Sequence, residues 1–336
     1  MLALFALPVL LGLGLFLVID DDTETAEDTP DDPTPDPDEP TVDPLEVPDD
    51  VVVFRGTPGD DAIIARDEGG FIAGLRGDDT ITGSDNSDDI AGRQGDDEID
   101  ARGGNDRVWG DGGDDLINLG DGDDRGIGSV GEDTIDGGAG ADHISGEDDN
   151  DLLRGGAGDD TVTGGYGDDL IYMGAGDDSG AAYGDRSFGD DTVYGGAGDD
   201  LILEGRGANL LFGEAGDDEI RALDNDGLGE DTVNGGEGDD RLFVDYGDLV
   251  TGGEGDDLFA VDNEGDSPMA PVIITDFDTE EDLLAFTDVY DATVDLRYDP
   301  SYDAVVAATP DYVLAVLQGL GDADIPDISV VNLSAA

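Results

Sequence analysis

Between Gly56 and Ala260 an aspartate returns at the sixth place of a nine-residue phrase, small-small-x-Gly-x-Asp-x-apolar-x, in unit after unit. Gly155-Gly-Ala-Gly-Asp-Asp160-Thr-Val162-Thr, Gly195-Gly-Ala-Gly-Asp-Asp200-Leu-Ile202-Leu and Gly235-Gly-Glu-Gly-Asp-Asp240-Arg-Leu242-Phe show the pattern. Carboxylates are hard oxygen ligands, and glycines give the backbone angles with φ > 0 that turn carbonyls toward a common point. The chemistry on offer is the repeated binding of a hard divalent cation.

Other chemistries have less support. The chain carries 88 acidic and 13 basic residues, a net charge of −75, which excludes nucleic acid as a partner and would ordinarily mark a disordered polyanion. Disordered acidic tracts, however, have no need to keep phase with glycine and a branched apolar residue. There is no cysteine, so disulfides, thiol nucleophiles and zinc knuckles are ruled out. The single histidine, His143, has no second histidine with which to build a transition-metal site or a relay, and reads as a surface residue. Pairs of carboxylates resemble glycosidase dyads, yet they are committed to metal and nothing interrupts the repeat to form a cleft, so the chain reads as no enzyme. Trp109, Tyr166, Tyr172, Tyr183, Phe188 and Tyr194 read as packing or coil-edge residues. An ice-binding face would need threonines in register, and Thr80, Thr134, Thr161, Thr192 and Thr232 are too irregular.

The elements that must position the aspartates follow from the period. Fourteen units run unbroken to Ala181, insertions of four residues follow at Ala182–Asp185 and Ala222–Asn225, and the array totals 22 units, with the one starting at Val244 a residue short. Each unit offers about six turn residues and a brief strand at x-apolar-x, so two units close an 18-residue coil with eighth-place side chains pointing inward. Ile81, Ile99, Ile117, Ile135, Leu153 and Ile171 then stack on one wall, and Ile90, Val108, Ile144 and Val162 on the other. Gly126 and Gly180 stand at the eighth place of their units; with the insertions they place the irregularities along one edge, as a contact surface or as tolerated surface variation.

Burying one such side chain contributes roughly 1.5–3 kcal/mol, while fixing nine residues costs about 1–2 kcal/mol each. Sheet hydrogen bonds narrow the gap. Coils about 4.8 Å apart bring Asp79 and Asp97 inside the ~8 Å screening length, where a divalent ion turns their repulsion into attraction. Calcium fits best, since it accepts about six to eight oxygens in forgiving geometry. The expectation is a chain largely unfolded without calcium and an elongated roll of about 11 coils, ~50 Å long, with it.

Outside the array, Leu2–Ile19 is apolar and long enough to enter a membrane as a helix. It lacks a basic flank and a small-x-small cleavage site, and reads as an anchor (residues 1–19) rather than a removed signal. Residues 20–55 read as a disordered acidic, Pro-rich linker. From 261 to 336 the period gives way to strand signals, Val272–Phe277, Leu283–Phe286, Ala292–Tyr298, Ala304–Ala308, Tyr312–Leu317 and Ile328–Leu333, which predict a small antiparallel β module capping the roll.

With its phased G-G-x-G-x-D-x-U-x units, the stretch Gly56–Ala260 resembles the hemolysin-type, or repeats-in-toxin (RTX), calcium-binding family over about 205 of 336 residues. The resemblance implies an all-β, right-handed parallel β-roll with calcium ions between successive loops, held by loop carbonyls and sixth-place carboxylates. Carried over, these are Asp61, Asp79, Asp88, Asp97, Asp106, Asp115, Asp124, Asp133, Asp142, Asp151, Asp160, Asp169, Asp178, Asp191, Asp200, Asp218, Asp231, Asp240 and Asp257. Gly70 and Asn209 replace the aspartate in their units. Ile273–Leu284 is similar to the stretch that follows the repeats in family members exported by type I systems. The reading is a calcium-binding, non-catalytic roll outside the cytoplasm, secreted or at the cell surface, tethered to the membrane or released at its amino-terminal segment. The alternative is a surface adhesin or matrix protein whose carboxy-terminal module or roll edge binds a cell-surface or matrix partner, protein or glycan.

Overall fold

The computed structural model describes residues 45–46, 53–65, 69–181, 189–204, 206–223, 229–262, 270–287, 294–309, 313–325 and 328–332. Of the chain's two units, Met1–Thr41 and Val42–Ala336, the first lies outside the described residues, and with it the expected apolar helix and much of the expected linker. No α-helix is present among the described residues, and none of their elements is a helix long and apolar enough to cross a membrane.

Two parallel sheets face each other, one of 16 strands and one of 14, and the chain alternates between them. This is an all-β parallel solenoid of about 11 turns. Each strand pairs with the strand two further on, so Ile135 stands beside Ile117 and Leu153 in the first wall, and Ile144 beside Val162 in the second. The eighth-place residues of the two walls are buried and form one continuous core, from Ile63 through Val250 to Phe259. Register survives the irregularities: Leu170 pairs with Thr192 across the first insertion, Glu219 with Arg241 across the second, and Arg241 with Leu258 across the short unit.

Most strands are longer than x-apolar-x. Thr161–Tyr166 is six residues and takes in the first three places of the next unit, which leaves only Gly167-Asp168-Asp169 as the turn. The first- and second-place glycines read as turn formers from sequence are therefore sheet residues. Gly156, for instance, has φ +115° yet pairs in register with Gly138 and Gly174. Likewise, Gly126 and Gly180 lie inside the second wall, paired with Val108 and Ile144, and with Val162 and Ile202. Both are buried. They belong to the core rather than to a protruding edge.

The sheets also extend beyond the repeat. Leu45–Glu46 and Val53–Arg55, inside the stretch expected as linker, pair with Ala62–Ile64 and Phe71–Arg76. In the tail, Val272–Ile274, Leu283–Phe286, Val313–Leu317 and Ser329–Asn332 continue the walls in parallel. Among the described residues, only Ala304–Ala308 and Asp295–Asp299 add antiparallel strands. The expected antiparallel module is thus mostly more solenoid, closed in one wall by a short meander. Phe259 and Phe277 pack with ring centroids 5.7 Å apart where repeat meets tail.

Candidate metal centre

The unit Gly155–Thr163 shows how the phrase builds its turn. A Cβ on Gly158 (φ +128°) would lie 2.1 Å from the carbonyl oxygen of Gly140 in the preceding coil. One on Gly155 would lie 2.6 Å from Asp160 Oδ2 and 2.3 Å from the carbonyl oxygen of Met173 in the following coil. Glycine is required because carboxylate and carbonyl oxygens crowd against the backbone there.

All nineteen sixth-place aspartates predicted from sequence are buried, and the structure brings them together in two ladders, one along each edge of the solenoid. In each, Oδ1 accepts the backbone N–H of the corresponding residue one coil earlier. One ladder runs from Asp61 through Asp79, Asp97, Asp115, Asp133, Asp151, Asp169, Asp191, Asn209 and Asp231 to Asp248, with steps of 2.7–3.0 Å. In the other, Gly70 donates to Asp88, and the steps of 2.7–3.1 Å continue through Asp106, Asp124, Asp142, Asp160, Asp178, Asp200, Asp218, Asp240 and Asp257 to Asp282.

The second oxygen divides the set. In fifteen of the predicted aspartates, all but Asp61, Asp88, Asp231 and Asp257, Oδ2 is buried without a hydrogen-bond partner. Asp88 Oδ2 instead accepts from Ser84 N and Oγ at 2.8 and 2.9 Å, and Asp61 Oδ2 from Thr57 N. Asn209 keeps its ladder step through Oδ1, but sets a buried amide nitrogen without a hydrogen-bond partner where its neighbours have an oxygen.

An open anionic oxygen out of water is costly, and the cost appears as a preference for the neutral form. Burial pushes the Asp79 carboxyl up to about 6, Asp115 to about 7 and Asp151 to about 8, against the lowering effect of the ladder N–H; neighbouring carboxylates add to the rise.

Two groups of carboxylates escaped the sequence reading. Asp248 and Asp282 take sixth-place roles, their Oδ2 atoms bound by Asp245 N at 2.9 Å and Asp278 N at 2.7 Å. Their signal is the Asp-x-apolar triplet, kept although the count of nine fails. Fifth-place residues form an outer, exposed ladder of opposite sense, as where Asp96 N donates to Asp78 Oδ1 and Asp114 N to Asp96 Oδ1. His143 is exposed on the second wall, between Arg125 and Thr161.

Among the described residues no three acidic or imidazole side chains converge on one point. Any ion in these turns would therefore be held by at most two carboxylates together with backbone carbonyls. Above Gly74, the position of a missing Cβ is 2.1 Å from Asp79 Oδ2 and 2.8 Å from Gly92 O. Such a donor set is all oxygen, leaves Oδ2 without a hydrogen-bond partner and repeats each coil; it fits a hard cation that accepts carbonyls, as calcium does.

A two-walled parallel solenoid with rows of half-satisfied carboxylates in its turns defines a calcium-binding β-roll. The family model for the RTX calcium-binding nonapeptide repeat (4 copies) matches residues 64–99, 92–126, 118–153, 127–161, 145–179, 187–209, 205–226 and 225–247, together more than half of the chain. The chain belongs to that family. No curated protein matches it.

Proposed function

We propose that the fifteen aspartates with an open Oδ2 are the calcium ligands, and that their loading is what folds the chain. The single observation that carries this reading is the open oxygen itself, repeated on both edges, buried and without a hydrogen-bond donor. Calcium there would supply the positive charge these oxygens lack. Oδ1 meanwhile keeps the ladder, fixing each carboxylate so that Oδ2 and a first-place carbonyl stay directed into the turn. Asp61, Asp88, Asp248 and Asp282, closed on their own loops, act as caps that hold without metal.

The role is non-catalytic and extracytoplasmic, at the surface or secreted. The absence of cysteine leaves cations as the staple of an exported domain, and the ordering cost of a polyanion suits the weak calcium sites of extracellular modules. The test is a calcium titration of the full chain after chelation, followed by far-UV circular dichroism, small-angle scattering and equilibrium dialysis. Uptake of many ions together with the appearance of strand signal is the expected result. A compact, strand-rich chain that takes up no Ca²⁺ at millimolar concentration would overturn the reading.

A further inference from the structure

The first wall has an outer face, made by the seventh and ninth places, and its second half is set apart by a stack of aromatic side chains. From Leu152–Ala157 to Leu249–Glu254, six successive strands place no acidic residue at either position, although the chain carries 88 acids. In the first half of the same face Glu98, Asp100 and Asp136 intervene.

At these two places the second half carries a strip of apolar side chains interspersed with Arg154, Thr192, Thr232, Asn234 and Thr251. Tyr172, Tyr194 and Phe212 stack with centroids 5.0 Å apart and planes within 10°, and Arg154 lies 5.9 Å from the Tyr172 ring centroid. Tyr172, Leu210 and Leu249 are about 40% exposed, at 39%, 42% and 41%. Exposed apolar surface in one strip marks an interaction site more often than chance.

Its borders indicate what fits. At the carboxy-terminal end of each strand the turn carries an exposed fifth-place carboxylate, whereas at the other end that place holds Asn150, Asp168, Asp190, Ala208, Glu230 and Gly247 in turn. Asp177, Asp199 and Asp217 form one rail, accepting at 3.1, 3.0 and 2.9 Å from the next coil, and Asp168 and Asp190 line the other, accepting at 2.9 Å. A second copy would set such rails against its own like charge. A cationic amphipathic segment would lay its apolar stripe on the strip and direct Lys or Arg to both rails. Dimensions agree: six-residue strands span about 20 Å, enough for a helix ~10–12 Å across, and six coils at ~4.8 Å run the length of about 16 helical residues.

We propose that this strip is a docking site for a cationic amphipathic helix, lying along the solenoid axis between the two acidic rails. It rests on the fold and is independent of which aspartates bind calcium. The experiment uses the full chain in calcium chloride, with circular dichroism confirming the roll, and fluorescence anisotropy with two labelled peptides: an amphipathic Leu/Lys helix of about 16 residues and its scrambled isomer of equal charge. At physiological salt the amphipathic peptide is expected to bind at least about tenfold more tightly. The double variant Tyr194→Asp/Leu210→Asp should abolish that difference, and Ser145→Asp/Thr163→Asp on the opposite wall should leave it. If the acidic pair unfolds the roll, Tyr194→Ser/Leu210→Ser gives the same comparison. Equal binding of both peptides, or a preference that survives the strip variants, would overturn the proposal.

Discussion

Met173 Sδ stands 2.3 Å from where a Cβ on Gly180 would lie, seven residues along the same unit. Leu119 and Gly126 repeat the relationship, with Leu119 Cδ1 3.0 Å from the missing Cβ. In both units the first-place glycine has become a large apolar residue and the eighth-place apolar residue a glycine, so core volume is moved rather than lost. Gly180→Val alone should destabilise the calcium-loaded roll by about 1–3 kcal/mol through overpacking, and Met173→Ala by about 2–5 kcal/mol through a cavity. Met173→Gly/Gly180→Val restores the ordinary unit and should recover most of the loss in denaturant titrations. A double variant as unstable as the sum of the single ones would refute the exchange.

The two oxygens of Asp160 separate ladder from ligand. Its Oδ1 accepts the Asp142 N–H at 2.8 Å and its Oδ2 is open. Asp160→Asn keeps the acceptor and removes the charge. Asp160→Ala removes both and leaves a buried N–H unmet, a cost of about 1–3 kcal/mol. The expected outcome is that both variants bind less calcium and need more of it to fold, while only the alanine variant also loses stability at saturating calcium. Equal behaviour of the two would mean that the ladder bond contributes nothing separable.

The walls were legible in the sequence because the side chains of Ile81, Ile99 and Ile117 recur at the coil length, and the 18-residue spacing also located the carboxylates. Strand length was not, because Gly155-Gly-Ala looks like a turn in isolation. It is sheet only because the same places in adjacent coils bring matching backbone beside it. Asp248 and Asp282 were hidden by counting from the glycines, whereas the conserved spacing in space is that of Asp248 to Val250 and Asp282 to Leu284. The fifth-place ladder was invisible for another reason: Asp78, Ser87, Asn105 and Asn150 all accept the same N–H bond, so no single residue type marks the place.

Strain is unevenly distributed along the roll. At the second place of the second wall, Leu75, Arg93, Asp111, Ser129 and Glu147 hold φ between +77° and +104° in five consecutive coils, where glycine would sit without penalty. Each such residue costs on the order of 1 kcal/mol. Ser129→Gly should therefore stabilise the folded roll by about 0.5–1 kcal/mol despite the freer unfolded chain, and Gly156→Ser should destabilise it, because its Cβ would stand 2.3 Å from Gly138 O. Chemical denaturation in excess calcium measures both. Destabilisation by Ser129→Gly would show that the serine side chain contributes more than its backbone costs.

Protons should partly replace calcium. The open carboxyls rise on folding from about 4 to about 6 for Asp79, 7 for Asp160 and 8 for Asp151, chiefly through burial. A carboxyl whose value is raised in the folded state favours the protonated fold. Its contribution is complete below the unfolded value near 4 and disappears as pH climbs through about 6 to 8. Metal-free protein, prepared by dialysis, should thus gain strand signal between pH 8 and pH 5, and the gain should be reversible. The lower limit stays above the isoelectric point, about 4.1, so that the chain keeps its charge and its solubility. In saturating calcium the same scan should be flat from pH 8 down to the point where protons compete for the ligands, and below it the fold should persist while bound calcium falls. Circular dichroism with parallel dialysis follows both quantities. Metal-free protein that remains unfolded at pH 5, still soluble and monomeric, would show that charge neutralisation on Oδ2 is insufficient to close the turns.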